Sequence, residues 1–366
     1  MQLRTRGQLV TVGAVLAMAV GVAACSSSSS TPASGSTSST GGGSTSTSVT
    51  GTIKAAGSTF QTNFQQAAIQ GFEATDTGTK VDYNPVGSGT GRTDLYSNTV
   101  LLAGSDSPIP SSEASKVPAG KTVLYFPVQI GPIAIAYNLP GVKSLKLDAA
   151  TLAGIFQGQI TTWNASQIAA LNPGVSLPSH AITLDVRSDS SGTTQNFSQY
   201  LVDAAGSSWK LGTASTIKWP STARAGDGGT AVAQNVKSTS YSIGYVDFST
   251  ATASGLTAAT IKNSAGDYVA PSTASATAAA THVTPKSNLT FLTVDQPGAT
   301  SYPITYQSWD LVYAKQPNAN DAALLKAYLG YLLGSQGQAL LAPLNLAPLP
   351  PAIDKAAVAQ LSKITS

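Results

Sequence analysis

Four short stretches set hydroxyl groups, glycine and charge side by side. They are Ala56-Gly57-Ser58-Thr59-Phe60, Val86-Gly87-Ser88-Gly89-Thr90-Gly91, Gly104-Ser105-Asp106-Ser107-Pro108 and Arg187-Ser188-Asp189-Ser190-Ser191-Gly192-Thr193. Each stands where a helix is expected to begin. A helix N-terminus offers unpaired N–H groups and a partial positive charge, and Ser or Thr hydroxyls add donors with little bulk. Such loops can grip an oxyanion. Taken singly, the same residues are ordinary N-caps; four in one chain, with Arg187, Asp106 and Asp189 embedded, favour a ligand site. The Gly87-x-Gly89-x-Gly91 spacing is not a dinucleotide fingerprint, and there is no Walker-A run.

Enzyme chemistry is thinly supplied. The two histidines, His180 and His282, lie far apart and read as surface or loop residues, and the single cysteine is Cys25. A zinc site or a Cys-His pair is therefore not expected, and no Gly-x-Ser-x-Gly elbow stands in the globular part. Neither metal nor cofactor is expected. A phosphatase using Asp106 or Asp189 stays open on residue type, as does a wall-associated adhesin that binds no oxyanion.

The elements that must position these loops follow an α/β pattern. Strands are expected at 52–56, 80–83, 123–126, 133–137, 181–187, 242–246 and 310–314. Phe60, Phe64, Ala67, Ala68 and Phe72 share one helical face, Phe197, Tyr200, Leu201 and Ala204 another, and 322–333 is an apolar-striped helix. Residues 250–280 carry no clear period. A length of 366 residues suggests two lobes, each with its own core.

The first 25 residues read as an address. Arg4 and Arg6 precede an apolar, small-residue stretch that ends in Val22-Ala23-Ala24-Cys25, which resembles a bacterial lipobox with Cys25 as the acylated residue. Two alternatives are weaker: an uncleaved membrane span, because Gly7, Gln8, Thr11, Gly13 and Gly21 dilute a segment already marginal in length, and a plain secretory signal with a chance cysteine at its end. Residues 26–50 are almost entirely Ser, Thr, Gly, Pro and Ala, a disordered tether. By random-coil scaling about 25 such residues reach roughly 25 to 30 Å. Net charge is +3, and loss of Arg4 and Arg6 with the leader brings the chain close to neutral. With no run of Lys or Arg, nucleic acid is not an expected partner.

In this order the four loops resemble the phosphate-binding proteins of the high-affinity phosphate ABC importer, the PstS family. Further stretches carry the likeness: Gly158-Gln159-Ile160-Thr161-Thr162-Trp163-Asn164, Leu171-Asn172-Pro173-Gly174, Lys218-Trp219-Pro220, Ile243-Gly244-Tyr245-Val246 and Tyr302-Pro303-Ile304-Thr305. The resemblance implies an α/β, two-lobed periplasmic-binding-protein fold (type II solute-binding protein) with lobes joined by crossing hinge strands. The expected division is signal peptide 1–24, lipidated Cys25 plus tether 25–50, lobe I 51–130 and 303–366, and lobe II 131–302. The crossings fall near 129–137 and 302–313.

Carried over position by position, the resemblance implies phosphate contacts from Ser58, Thr59, Phe60, Ser88 and Asp106 on one lobe. Arg187, Ser191, Gly192 and Thr193 would come from the other, with Asp189 orienting Arg187. It also implies a monomer, lipid-anchored on the extracytoplasmic face of the cell membrane, that delivers inorganic phosphate to ABC importer permease subunits served by a cytoplasmic ATPase. Two stretches depart from the family pattern, the turn Gly226-Asp227-Gly228-Gly229 and the Ser-Gly-Thr-Gly run after Gly87, and neither replaces an assigned contact. The chemistry is consistent. A carboxylate facing an anion repels it unless the ligand brings a proton to share, which phosphate does near neutrality and sulfate does not. Arg187 then supplies charge and a planar donor fork.

Overall fold

The computed structural model describes residues 49–366. The expected signal peptide, the expected lipidation of Cys25 and nearly all of the expected tether lie outside the described residues. A nine-stranded mixed sheet organises the rest. Its eight main strands are β1 (Gly51–Gly57), β2 (Thr79–Asn84), β3 (Leu102–Ser105), β4 (Val123–Asn138), β5 (Thr183–Arg187), β6 (Arg224–Gly226), β7 (Ser242–Asp247) and β8 (Thr305–Tyr313). They lie side by side in the order β2-β1-β3-β8-β4-β7-β5-β6, with Thr257–Ala258 paired to β4.

The sheet has two parallel ends joined by an antiparallel middle. β1 runs parallel to β2 and β3, and β5 runs parallel to β6 and β7. Between them, β4 pairs with β8 over residues 123–132 and then with β7 over 133–138. One continuous strand thus crosses from one lobe to the other. Residues 123–126 and 133–137, expected as separate strands, are the two ends of β4. Proline, which lacks a ladder donor, is tolerated where pairing is broken: Pro127 sits beside a bulge and Pro132 where β4 leaves β8 for β7. β8 begins five residues earlier than the 310–314 expectation, at Thr305.

Helices cover the sheet: α1 (Thr62–Thr75), α2 (Ser88–Tyr96), α3 (Gly192–Ala205), α4 (Gly228–Ser238) and α5 (Ala319–Leu333). Phe64, Ala68 and Phe72 bury the inner face of α1, while Phe60 is buried from the 3-10 turn before it and Ala67 is only partly covered. On α3, Phe197, Tyr200 and Leu201 are buried, but Ala204 faces solvent. The unplaced 250–280 stretch folds as short pieces: the helices Phe248–Ala253 and Thr273–Ala280, and a small sheet of Lys146–Leu147, Thr260–Lys262 and Tyr268–Val269. Among the described residues, no helix is long and apolar enough to cross a membrane.

Candidate functional site

In a parallel α/β sheet the carboxyl ends of the strands share one edge, and ligands bind beyond it. Here both parallel ends of the sheet aim that edge at the same place. Ser58 follows β1, Ser88 opens α2 after β2, and Asp106 follows β3. From the other side come Arg187 at the end of β5, Gly228 and Gly229 after β6, and Asp247 at the end of β7.

Asp106 is the centre. It is 1 % exposed, and its carboxylate accepts from three serine hydroxyls: Ser58 at 2.7 Å and Ser88 at 3.2 Å on Oδ2, and Ser308 at 2.6 Å on Oδ1. Burial pushes its carboxyl up to about 6, against those hydroxyls and the charge of Arg187, which favour the ionised form. Its loop is the one of the four that starts no helix; the next helical turn is the 3-10 segment Ser111–Lys116. Buried Arg92 holds the loop instead. Its Nη1 donates to Ser105 Oγ at 3.1 Å and Ser107 Oγ at 3.2 Å, while its Nε pairs with Glu113 at 2.8 Å.

Arg187 and Asp189 form a two-pronged pair: Nε donates to Oδ1 at 2.6 Å and Nη2 donates to Oδ2. Burial opposes the guanidinium charge, but the hydrogen bond and charge of Asp189 more than offset it and hold the group above its ordinary value. Asp189 Oδ1 also accepts the N–H of Gly228 at 3.1 Å, so it ties β5 to the turn before α4. Asp247, raised by burial and opposed in part by Arg187, spends Oδ1 on Ser249 Oγ and the Thr250 N–H, both at 2.8 Å. A Cβ added at Gly229 would lie 3.2 Å from Asp247 Oδ2, 3.8 Å from Thr59 Oγ1 and 4.0 Å from Arg187 Nη1. Those three polar groups therefore surround one small space. Thr59 Oγ1 is buried without a hydrogen-bond partner.

At the start of α3, Ser191 Oγ accepts the N–H of Thr194 at 3.1 Å and the Ser191 carbonyl accepts that of Gln195. Helix geometry then leaves the N–H groups of Gly192 and Thr193 without intrahelical acceptors. Glycine is required at 192: a Cβ there would sit 2.5 Å from Ser88 Oγ and 2.6 Å from Asp106 Oδ2. The two sides touch directly, since Gly89 N–H donates to the Ser190 carbonyl at 2.9 Å and Asn196 Nδ2 donates to the Asp106 carbonyl at 2.7 Å. Gly87, at φ +91°, allows that approach; a Cβ there would lie 2.5 Å from Asp189 Oδ2.

The structure thus brings Ser58, Thr59, Ser88, Asp106, Arg187, Asp189, Ser191, Gly192 and Thr193 to one cleft. Phe60 follows Thr59 with its ring buried and stacked at 4.0 Å on Tyr306. Its N–H is already engaged by Ser58 Oγ at 3.0 Å. Sequence reasoning missed Ser308, Asn196, Gln307, Asp247 and Arg92. Gln307 Nε2 donates to the Asp106 carbonyl and to Asn196 Oδ1, both at 3.1 Å. The available signal was a strand rich in polar residues, Thr305, Gln307, Ser308 and Asp310, all of them buried. His180 and His282 are exposed and away from the cleft lining just described. Among the described residues no cluster of His, Cys, Asp and Glu has the makings of a metal site.

Comparison with known proteins bears on the family and the fold. Residues 42–336 match the model of the PBP superfamily domain. The chain is 38% identical over 311 residues to phosphate-binding protein PstS 3 of Mycobacterium leprae, covering 82% of this chain and 83% of that protein. It is 35% identical over 327 residues to phosphate-binding protein PstS 2 of Mycobacterium tuberculosis, covering 86% and 87%. Among solved structures, a phosphate-binding protein from Stenotrophomonas maltophilia shares the fold with a TM-score of 0.68 at 21% identity, covering 85% of this chain and 94% of that one. The periplasmic phosphate-binding protein PfluDING, solved with phosphate, superposes with a TM-score of 0.70 at 22% identity over 85% and 94%. Identity over most of both chains, on a two-lobed sheet whose strand ends converge on one cleft, places the chain in the PstS family of phosphate-binding proteins.

Proposed function

We propose that this chain binds inorganic phosphate between its two lobes, outside the cytoplasm, and delivers it to the permease of an ABC importer without chemical change. The observation that carries the reading is the buried Asp106 carboxylate, set among hydroxyl donors and facing Arg187 across the cleft. Arg187, the open N–H groups of Gly192 and Thr193, and Thr59 Oγ1 supply donors for oxyanion charge; Asp106 takes the proton that phosphate alone brings. In this reading Ser58, Ser88 and Ser191 shape and orient the contacts, Phe60 walls the cleft, and Asp189 fixes the guanidinium. Lobe I comprises residues 51–130 and 303–366, and lobe II residues 131–302. A monomer anchored by lipid at Cys25 completes the proposal.

Stripped of bound anion, the chain is expected to contract on adding phosphate and not on adding sulfate, as read by small-angle scattering. It is also expected to release no nitrophenolate from p-nitrophenyl phosphate. Hydrolysis that disappears in Asp106→Asn would replace the receptor with a phosphatase on the same scaffold.

A further inference from the structure

Behind the cleft, a file of buried polar side chains runs from Asp106 into lobe I. Ser308 Oγ donates to Asp106 Oδ1, and Gln61 Nε2 donates to Ser308 Oγ at 2.8 Å and to the Trp309 carbonyl at 3.1 Å. Gln65 Nε2 donates to Gln61 Oε1 at 2.9 Å and to both Asp310 oxygens, at 3.2 and 3.4 Å. The Tyr328 hydroxyl donates to Gln65 Oε1. Every member is buried, from Gln61, Ser308, Asp310 and Tyr328 at 0 % to Gln65 at 1 % exposure. A Cβ at Gly104 would lie 2.8 Å from Gln61 Oε1 and collide with the Tyr83 hydroxyl, so the backbone beside the file is cut to fit it.

The donors run in one direction. Burial pushes Asp310 up to about 7, against hydrogen bonds that favour the ionised form; above that pH it accepts only, so Gln65 must turn its NH2 group inward, and Gln61 must then turn its oxygen to Gln65 and its NH2 to Ser308 and the Trp309 carbonyl. A serine oxygen that receives an N–H sends its own proton elsewhere, here to Asp106 Oδ1. We infer that Asp310 is a positioning residue: through Gln65, Gln61 and Ser308 it fixes the direction of the hydrogen bond that holds Asp106 as an acceptor, and so sets the affinity and anion selectivity of the cleft. The inference rests on the phosphate reading. The charged or titratable side chains facing Asp106 are Arg187, Tyr83 and Tyr306, and those facing Asp310 are Tyr83 and Tyr328.

The test titrates phosphate and sulfate, at several pH values, into the full chain and into Gln61→Met, Asp310→Asn and Tyr328→Phe. In Gln61→Met, Ser308 is free to turn its proton away, and phosphate affinity is expected to fall about tenfold. The acid limb of binding should move up by about half a pH unit, since Asp106 loses support for its charge. Asp310→Asn replaces a charged acceptor with a neutral one and should shift both readouts in the same direction by less. Tyr328→Phe removes one hydroxyl, and with Asp310→Asn it carries the test if Gln61→Met does not fold. Folded variants with unchanged affinity and an unmoved acid limb overturn the inference, even if their melting temperatures fall. Absence of phosphate binding in the unaltered chain is a different result, and it overturns the phosphate reading itself.

Discussion

Asp106→Asn is expected to lower the preference for phosphate over sulfate by about two orders of magnitude or more. The unaltered carboxylate leaves sulfate facing a desolvated negative charge with no proton to share, whereas an amide offers sulfate an N–H. The buried position makes the difference large, because solvent cannot relieve the mismatch at a group 1 % exposed. The pH dependence should change as well. Burial pushes Asp106 up to about 6, so in the unaltered chain phosphate binding should weaken as pH falls through that region and the carboxylate takes up its own proton. The asparagine variant should lack this limb. Calorimetry with both anions across that pH range reads both effects.

Arg187→Met is expected to cost about a thousandfold in phosphate affinity and about 3 kcal/mol in stability. Arg187 is 4 % exposed and serves two carboxylates, directly at partly buried Asp189 and through space at buried Asp247. Removing the guanidinium takes its positive charge from both, whether or not anion is bound, and leaves Asp189 the Gly228 N–H and Asp247 the Ser249 hydroxyl and Thr250 N–H. Arg187→Lys keeps the charge but cannot reproduce the two-pronged geometry with Asp189, so it should fall between. Urea denaturation gives the stability term and titration the affinity term. A variant with unchanged affinity would remove Arg187 from the site.

The parts of the fold legible in the sequence were those with local causes. β1, β2, β5 and β7 are β-branched or apolar runs bounded by glycine and hydroxyl loops, and the helices after β1 and β5 carry apolar side chains at helical spacing. Three of the four loops do start helical turns. The fourth starts no helix, and its support was not legible because Arg92 acts across 13 and 15 residues of sequence on Ser105 and Ser107. β4 reads from the sequence as two strands, 123–126 and 133–137, and only its changing partners show why it continues between them.

Ser308 illustrates the harder case. It sits within a strand, without glycine or a loop to mark it, and reaches Asp106 across 202 residues of sequence. The bulge between Ser308 and Trp309 alters the local register beside it, and bulges of this kind re-aim side chains near binding sites. Nothing local in the sequence encodes that contact. Asn196 is similar: on α3 it lies next to core residue Phe197, yet its amide crosses the cleft to the Asp106 carbonyl. Residues that close a cleft are specified by two distant segments at once, which one-dimensional periodicity does not register.

The most direct test of phosphate recognition is calorimetric titration of the full chain, stripped of bound anion, with phosphate and with sulfate near neutral pH. Tight, saturable heat from phosphate with none from sulfate is the predicted result. A folded, anion-free chain that gives no heat with phosphate, or binds both anions equally, would contradict the account.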